Sequence, residues 1–194
     1  MTLEKLKTEI SACRICGNFL PHGPNPVFRA NEKSRILLVG QAPGTRVHNT
    51  RIPWNDPSGD RLRGWLGLSR EEFYNEENIS IIPMGFCYPG KGKSGDLPPR
   101  AECAPAWHGK LLKFLPNLRL TLLIGQYSQK YYLGKRRKEN LTETVRNFKE
   151  YLPDFFPLPH PSPRNTFWLQ KHPWFETEVV PALKERCQEI WEEG

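Results

Sequence analysis

Apolar positions along the chain fall into two alternating kinds of segment. Short, continuously apolar runs occur at Ser34–Gly40, Ile79–Met84 and Leu118–Gly125, two of them closing on glycine. Runs of this length predict strands buried on both faces, the habit of a parallel sheet. A fourth strand is expected at Phe155–Leu158, just ahead of His160. Helices are predicted over Leu3–Cys13, Gly59–Trp65, Ala106–Phe114, Gln126–Leu133 and Leu141–Tyr151. A last helix, Glu176–Glu193, carries Val179, Val180, Leu183, Cys187, Ile190 and Trp191 at a period of about 3.6 residues. Strands alternating with helices predict an α/β fold, a three-layer α/β/α sandwich on a central, largely parallel four-stranded sheet. Ligands of such sheets bind beyond the carboxyl ends of the strands. The loops beginning at Gln41, Pro83, Gln126 and Pro159 all follow predicted strands, so one cleft is expected among them.

The length of 194 residues suits a single domain spanning residues 1–194, with no linker or repeat to divide it. The apolar runs are too short to cross a bilayer, and Met1–Ile10 lacks the apolar stretch of a signal peptide. A cytoplasmic monomer with no membrane partner is expected. A formal charge of +7 points instead to a polyanion, most simply nucleic acid. The 19 prolines cluster around residues 21–26, 53–57, 98–105 and 153–163, which predicts long, stiff loops of the kind that carry function.

Five cysteines are present. Cys13 and Cys16 form a CxxC pair, Cys87 and Cys103 enclose 15 residues, and Cys187 falls on the apolar face of the last helix as plain core. A cytosolic setting argues against disulfides. Four thiolates in a two-plus-two arrangement suit tetrahedral zinc or a 4Fe–4S cluster; ordinary buried thiols are the remaining reading. The full spacing, two residues, then 70, then 15, resembles the iron–sulfur uracil-DNA glycosylases. That resemblance implies a structural 4Fe–4S cluster on Cys13, Cys16, Cys87 and Cys103.

The resemblance extends to two loops. Gly40-Gln41-Ala42-Pro43-Gly44 is similar to the first motif of the uracil-DNA glycosylase superfamily. Pro159-His160-Pro161-Ser162-Pro163-Arg164-Asn165 resembles its HPSP motif, in a form similar to the single-strand-selective members. The family's chemistry implies that His160 donates to a pyrimidine O2 as the base leaves as an anion. It further implies that Trp54 stacks on an extruded base beside Ala42 and Gly44, and that Ser162, Arg164 and Asn165 meet DNA. Ser58-Gly59-Asp60 would open a helix whose amides suit a phosphate.

Two positions depart from the family pattern. Gln41 stands where the iron–sulfur members carry Glu, and Pro83 where they carry a base-reading Asn. Gln is no general base, though it can orient water. One branch of the superfamily instead uses an Asp in the following loop, so the resemblance implies Asp56 as the candidate carboxylate, with an Asx turn beside Pro57 as its structural reading. Asn55, Gln126, or backbone groups at Met84 and Gly85 would replace the lost base contact. Two functions follow: a monofunctional DNA glycosylase acting on uracil or another deaminated base in single- or double-stranded DNA, or a module that binds damaged or single-stranded DNA without turnover. An unrelated hydrolysis of RNA or nucleotides is a third.

Overall fold

The computed structural model describes residues 1–192, so the last residue of the predicted final helix, Glu193, lies outside the described residues. Strands β1 (Ile36–Val39), β2 (Ile79–Ile81), β3 (Leu120–Ile124) and β4 (Phe155–Leu158) form one sheet in the order β2-β1-β3-β4. Every pairing is parallel, with Leu38 opposite both Ile81 and Leu122. Around the sheet run α1 (Leu3–Ser11), α2 (Thr45–Thr50), α3 (Pro57–Leu66), α4 (Arg70–Phe73), α5 (Cys103–Leu112), α6 (Gln126–Leu133), α7 (Leu141–Arg146), α8 (Thr166–Lys171) and α9 (Val180–Glu192).

Alternation along the strands divides the core in two. On one face, Ile36 and Leu38 of β1, Leu122 of β3 and Phe156 of β4 meet Leu62 and Leu66 of α3 and Leu183, Cys187 and Ile190 of α9. On the other, Leu37, Val39 and Leu123 meet Leu6 and Ile10 of α1, Trp107 and Leu111 of α5 and Leu133 of α6. The result is the expected three-layer α/β/α sandwich.

Local chemistry sets the boundaries. Asp56 caps α3, Pro57 opens it, and Gly67 ends it in the left-handed region, the usual division of labour at helix termini. β2 is shorter than the apolar run, although the N–H groups of Ile82 and Met84, on either side of Pro83, still donate to the Leu38 and Gly40 carbonyls, both at 2.9 Å. The helix expected over Leu141–Tyr151 breaks at Asn147, and a 3₁₀ turn then buries Phe148 and Tyr151. The last helix is preceded by a π turn at Phe175–Val179. Three short helices, α2, α4 and α8, have too few residues to show a periodic pattern. β1 is followed by β2 on one side and flanked by β3 on the other, so a crevice opens between the carboxyl ends of β1 and β3.

Candidate active site

A cavity of about 510 Å³ occupies that crevice. Its walls are the Gly40–Gly44 turn after β1, Trp54 and Asp56 from the loop before α3, Pro83 after β2, Ser94–Asp96, and His160, Ser162, Arg164 and Asn165 after β4. Gln41, Ala42, Gly44, Trp54, Asp56 and the His160 turn thus come together, as the sequence leads one to expect.

His160 is oriented by its own turn. The Ser162 backbone N–H donates to Nδ1 at 3.2 Å, and Asn165 Nδ2 donates to the His160 carbonyl at 2.7 Å. With Nδ1 an acceptor, the neutral ring carries its proton on Nε2. Burial pushes the imidazole pKa below the ordinary histidine range, opposed in part by the charges of Asp56 and Asp96. Half-buried in the cavity wall, the side chain is a neutral Nε2–H donor.

Trp54 lies beside it, ring centroids 5.7 Å apart and tilted by 36°. Its backbone has φ of 57°, a conformation that bulky residues rarely adopt. Two glycines hold it there. A Cβ on Gly59 would sit 1.7 Å from the Trp54 carbonyl oxygen, and one on Gly40 would sit 2.7 Å from Cζ2 of the indole. Strain of this kind clusters at functional sites when the surroundings over-determine it.

Asp56 lines the cavity and also serves the fold. Oδ1 accepts from the Gly59 N–H at 2.9 Å as the cap of α3. That contact occupies an amide at the helix start where a phosphate was expected to bind. Gln41 Nε2 donates to the Leu97 carbonyl at 3.3 Å, leaving its Oε1 as an acceptor.

Other expected base contacts are not brought to the cavity. Asn55 Oδ1 instead accepts from Arg70 at 2.8 Å. The N–H groups of Met84 and Gly85 donate to the carbonyls of Gly40 and Gln41, both at 2.9 Å. Gln126 begins α6 and does not line the cavity. The Pro83 carbonyl is engaged by His108, whose Nε2–H donates to it at 3.0 Å while Nδ1 accepts from Tyr132 Oη at 2.7 Å. Burial pushes the His108 pKa down to about 4, so this ring is neutral.

The segment Gly90–Leu97, by contrast, was missed. It folds back on itself, with Leu97 N–H donating to Gly90 O at 2.8 Å, and closes one side of the cavity. Arg164 donates to its Ser94 carbonyl at 3.2 Å. Only the density of glycine at positions 90, 92 and 95 signals such a turn.

Residues 28–184 match the Uracil DNA glycosylase superfamily. The chain belongs to that superfamily. It is also 25% identical over 178 residues to the Type-4 uracil-DNA glycosylase of Sulfurisphaera tokodaii, across 83% of this chain and 74% of that protein. The superfamily match contains all four strands and all of the cavity lining but Val27, together with Cys87 and Cys103; Cys13 and Cys16 precede it.

In this superfamily member the four cysteines of the CxxC pair and the Cys87–Cys103 segment lie within electrostatic reach of one another. Burial pushes Cys103 up to about 12 and Cys87 up to about 11, and both are raised further by Cys16 and Cys13. Cys103 Sγ also accepts from the Phe86 N–H at 3.3 Å. Among the described residues no three His, Cys, Asp or Glu side chains gather tightly enough to hold a single metal ion. A 4Fe–4S cluster takes one thiolate on each iron, so its ligands surround a volume rather than a point. The donor set, four thiols in a two-plus-two arrangement whose charges act on one another, suits such a group. Cys187 is buried in the opposite core, against α3 and the sheet. No helix among the described residues is long and apolar enough to cross a membrane.

Proposed function

We propose that the protein is a monofunctional DNA glycosylase that hydrolyses the N-glycosidic bond of uracil or a related deaminated base. The observation that carries this reading is the neutral Nε2–H of His160, fixed in tautomer by Ser162 and set beside the Trp54 indole in a cavity. A base inside the stack is out of reach, so the nucleotide must be extruded into that cavity. Trp54 stacks on the base, which is worth about 1–3 kcal/mol. Ala42 and Gly44 keep the facing wall low enough for the nucleotide to enter.

As the bond from C1′ to the base nitrogen breaks, its electron pair stays with the base, and His160 donates to the oxygen on which that charge gathers. Water adds to C1′ of the sugar cation, and its proton passes to the carboxylate of Asp56 or to solvent. Asp56 also stabilises the positive charge on the sugar, while Gln41 Oε1 orients the water. Ser162, Arg164 and Asn165 form the DNA-facing turn, and the net charge of +7 draws the duplex in.

Cys13, Cys16, Cys87 and Cys103 would hold a 4Fe–4S cluster. When bound, the cluster supplies a structural cross-link between the N-terminal segment and the loop that frames the cavity, with no redox step. Gln41 and Pro83, standing where family members carry Glu and Asn, favour a second reading, a damage-binding module. Labelled oligonucleotides with uracil, hypoxanthine, xanthine or hydroxymethyluracil, single- and double-stranded, decide between the two. Alkali-labile sites support the glycosylase; binding without base release supports the module.

A further inference from the structure

The polar atoms that face the cavity are unevenly matched. Gln41 and Asn165 both have their amide nitrogens engaged within the protein, on the Leu97 and His160 carbonyls. Each keeps its amide oxygen as an acceptor and one further N–H. Asp96 adds a carboxylate to the same lining, carried on the Gly90–Leu97 segment. Tyr88 Oη donates to its Oδ1 at 3.4 Å, and its Oδ2 lies 3.3 Å from where a Gly44 side chain would begin. The carboxylate is therefore turned onto the first motif, and its charge is felt at His160. A carboxylate facing a DNA-binding cavity would be repelled by phosphate. Asp96 is exposed and takes only a long hydrogen bond from Tyr88, so a ligand that brings a donor can still satisfy its second oxygen.

Deamination creates one. Loss of the exocyclic amine from cytosine or adenine converts the adjacent ring nitrogen from a lone-pair acceptor into an N–H donor. A carboxylate in the lining therefore welcomes uracil and hypoxanthine, and its negative charge meets the lone pairs of cytosine and adenine unfavourably. Discrimination of this kind, by repulsion of the wrong partner as well as attraction of the right one, is the efficient route to specificity. Pro83 offers no polar side-chain atom, and its carbonyl is engaged by His108. Resting on the reading of the site as a base pocket, we infer that Asp96 is a specificity-determining residue that accepts a hydrogen bond from the ring N–H created by deamination.

The test is binding to oligonucleotides carrying one 2′-fluorinated, uncleavable nucleotide, either uridine, cytidine or 3-deazauridine, in which C–H replaces the ring N–H. Wild type should prefer uridine over cytidine. Asp96→Ala should lose affinity for the uridine oligonucleotide by about 10- to 100-fold, the range of a hydrogen bond to a charged group. Its affinity for the 3-deazauridine oligonucleotide should match that of wild type. Equal losses on both analogues, or no loss on uridine, would overturn the assignment, as would a wild type indifferent between uridine and cytidine. Cleavage is read separately on unmodified uracil, so failure of the hydrolase reading and failure of the Asp96 assignment are distinguishable.

Discussion

Replacement of Gly40 by alanine places a methyl group where the indole of Trp54 now lies. The new Cβ would sit 2.7 Å from Cζ2 and 3.3 Å from Cη2, against an optimal carbon–carbon separation of about 3.5–4.0 Å. Something must move by about 1 Å. The Gly40 backbone is held at the end of β1 by the Met84 N–H, at 2.9 Å from its carbonyl. The Trp54 backbone is held by its contact with Gly59, which leaves no room for displacement. The indole itself must therefore swing, and His160 is its aromatic neighbour in the cavity. Overpacking of this sort costs about 1–3 kcal/mol of stability, whereas misplacement of a positioning group by 1 Å costs on the order of 10²-fold in rate. Gly40→Ala should remain folded, with a modest fall in thermal midpoint, and lose 10- to 100-fold in single-turnover cleavage of uracil-containing DNA. Trimming the ring in Gly40→Ala/Trp54→Phe should recover part of the loss relative to Trp54→Phe alone. A Gly40→Ala protein that cleaves at the wild-type rate would refute the idea that Trp54 is clamped for catalysis.

Three further outcomes are expected. Asp56→Asn keeps an oxygen for the α3 cap, so its thermal midpoint should stay close to wild type while its cleavage rate falls at least 10-fold on single-turnover assay; an active variant would return the water to Gln41 alone. His108 is held at about 4 by burial, so its contribution is complete above the unfolded value of about 6.5 and is lost as pH falls from there toward 4, when protons bind the unfolded chain preferentially. Urea unfolding should show about 2 kcal/mol more loss between pH 7 and pH 5 in wild type than in His108→Asn, and equal losses would remove the assignment. Anaerobically purified protein should contain iron and sulfide in equal amounts, retained in Cys187→Ser and lost in Cys103→Ser; zinc in their place would discard the cluster.

Much of the framework could be read from the residue pattern. The strands are short, largely apolar runs broken only by Ser80 and Thr121, and that character marks a buried parallel sheet without any tertiary information. His160 and Trp54 were visible because their neighbours are prolines and glycines whose backbone demands are stereotyped. What stayed hidden is what depends on chain paths between elements. Asp96 is an unremarkable acidic residue until the Gly90–Leu97 turn folds it against Gly44. Asn55 sits one residue from Trp54, yet the left-handed conformation of Trp54 redirects the chain and leaves Asn55 on Arg70. The amides of Met84 and Gly85 seemed available only because their bonds to the Gly40–Gln41 turn are long-range.

The central claim is that His160 acts on the departing base and not on DNA affinity. It is tested most directly by comparing wild type and His160→Ala on one uracil-containing oligonucleotide, with single-turnover cleavage and equilibrium binding measured together. A donor aimed at charge that forms only as the bond breaks affects rate more than affinity. Cleavage should fall on the order of 10²–10³-fold, with binding changed by no more than a few-fold. A wild type that releases no base, or a His160→Ala protein that cleaves as fast as wild type, would contradict the account.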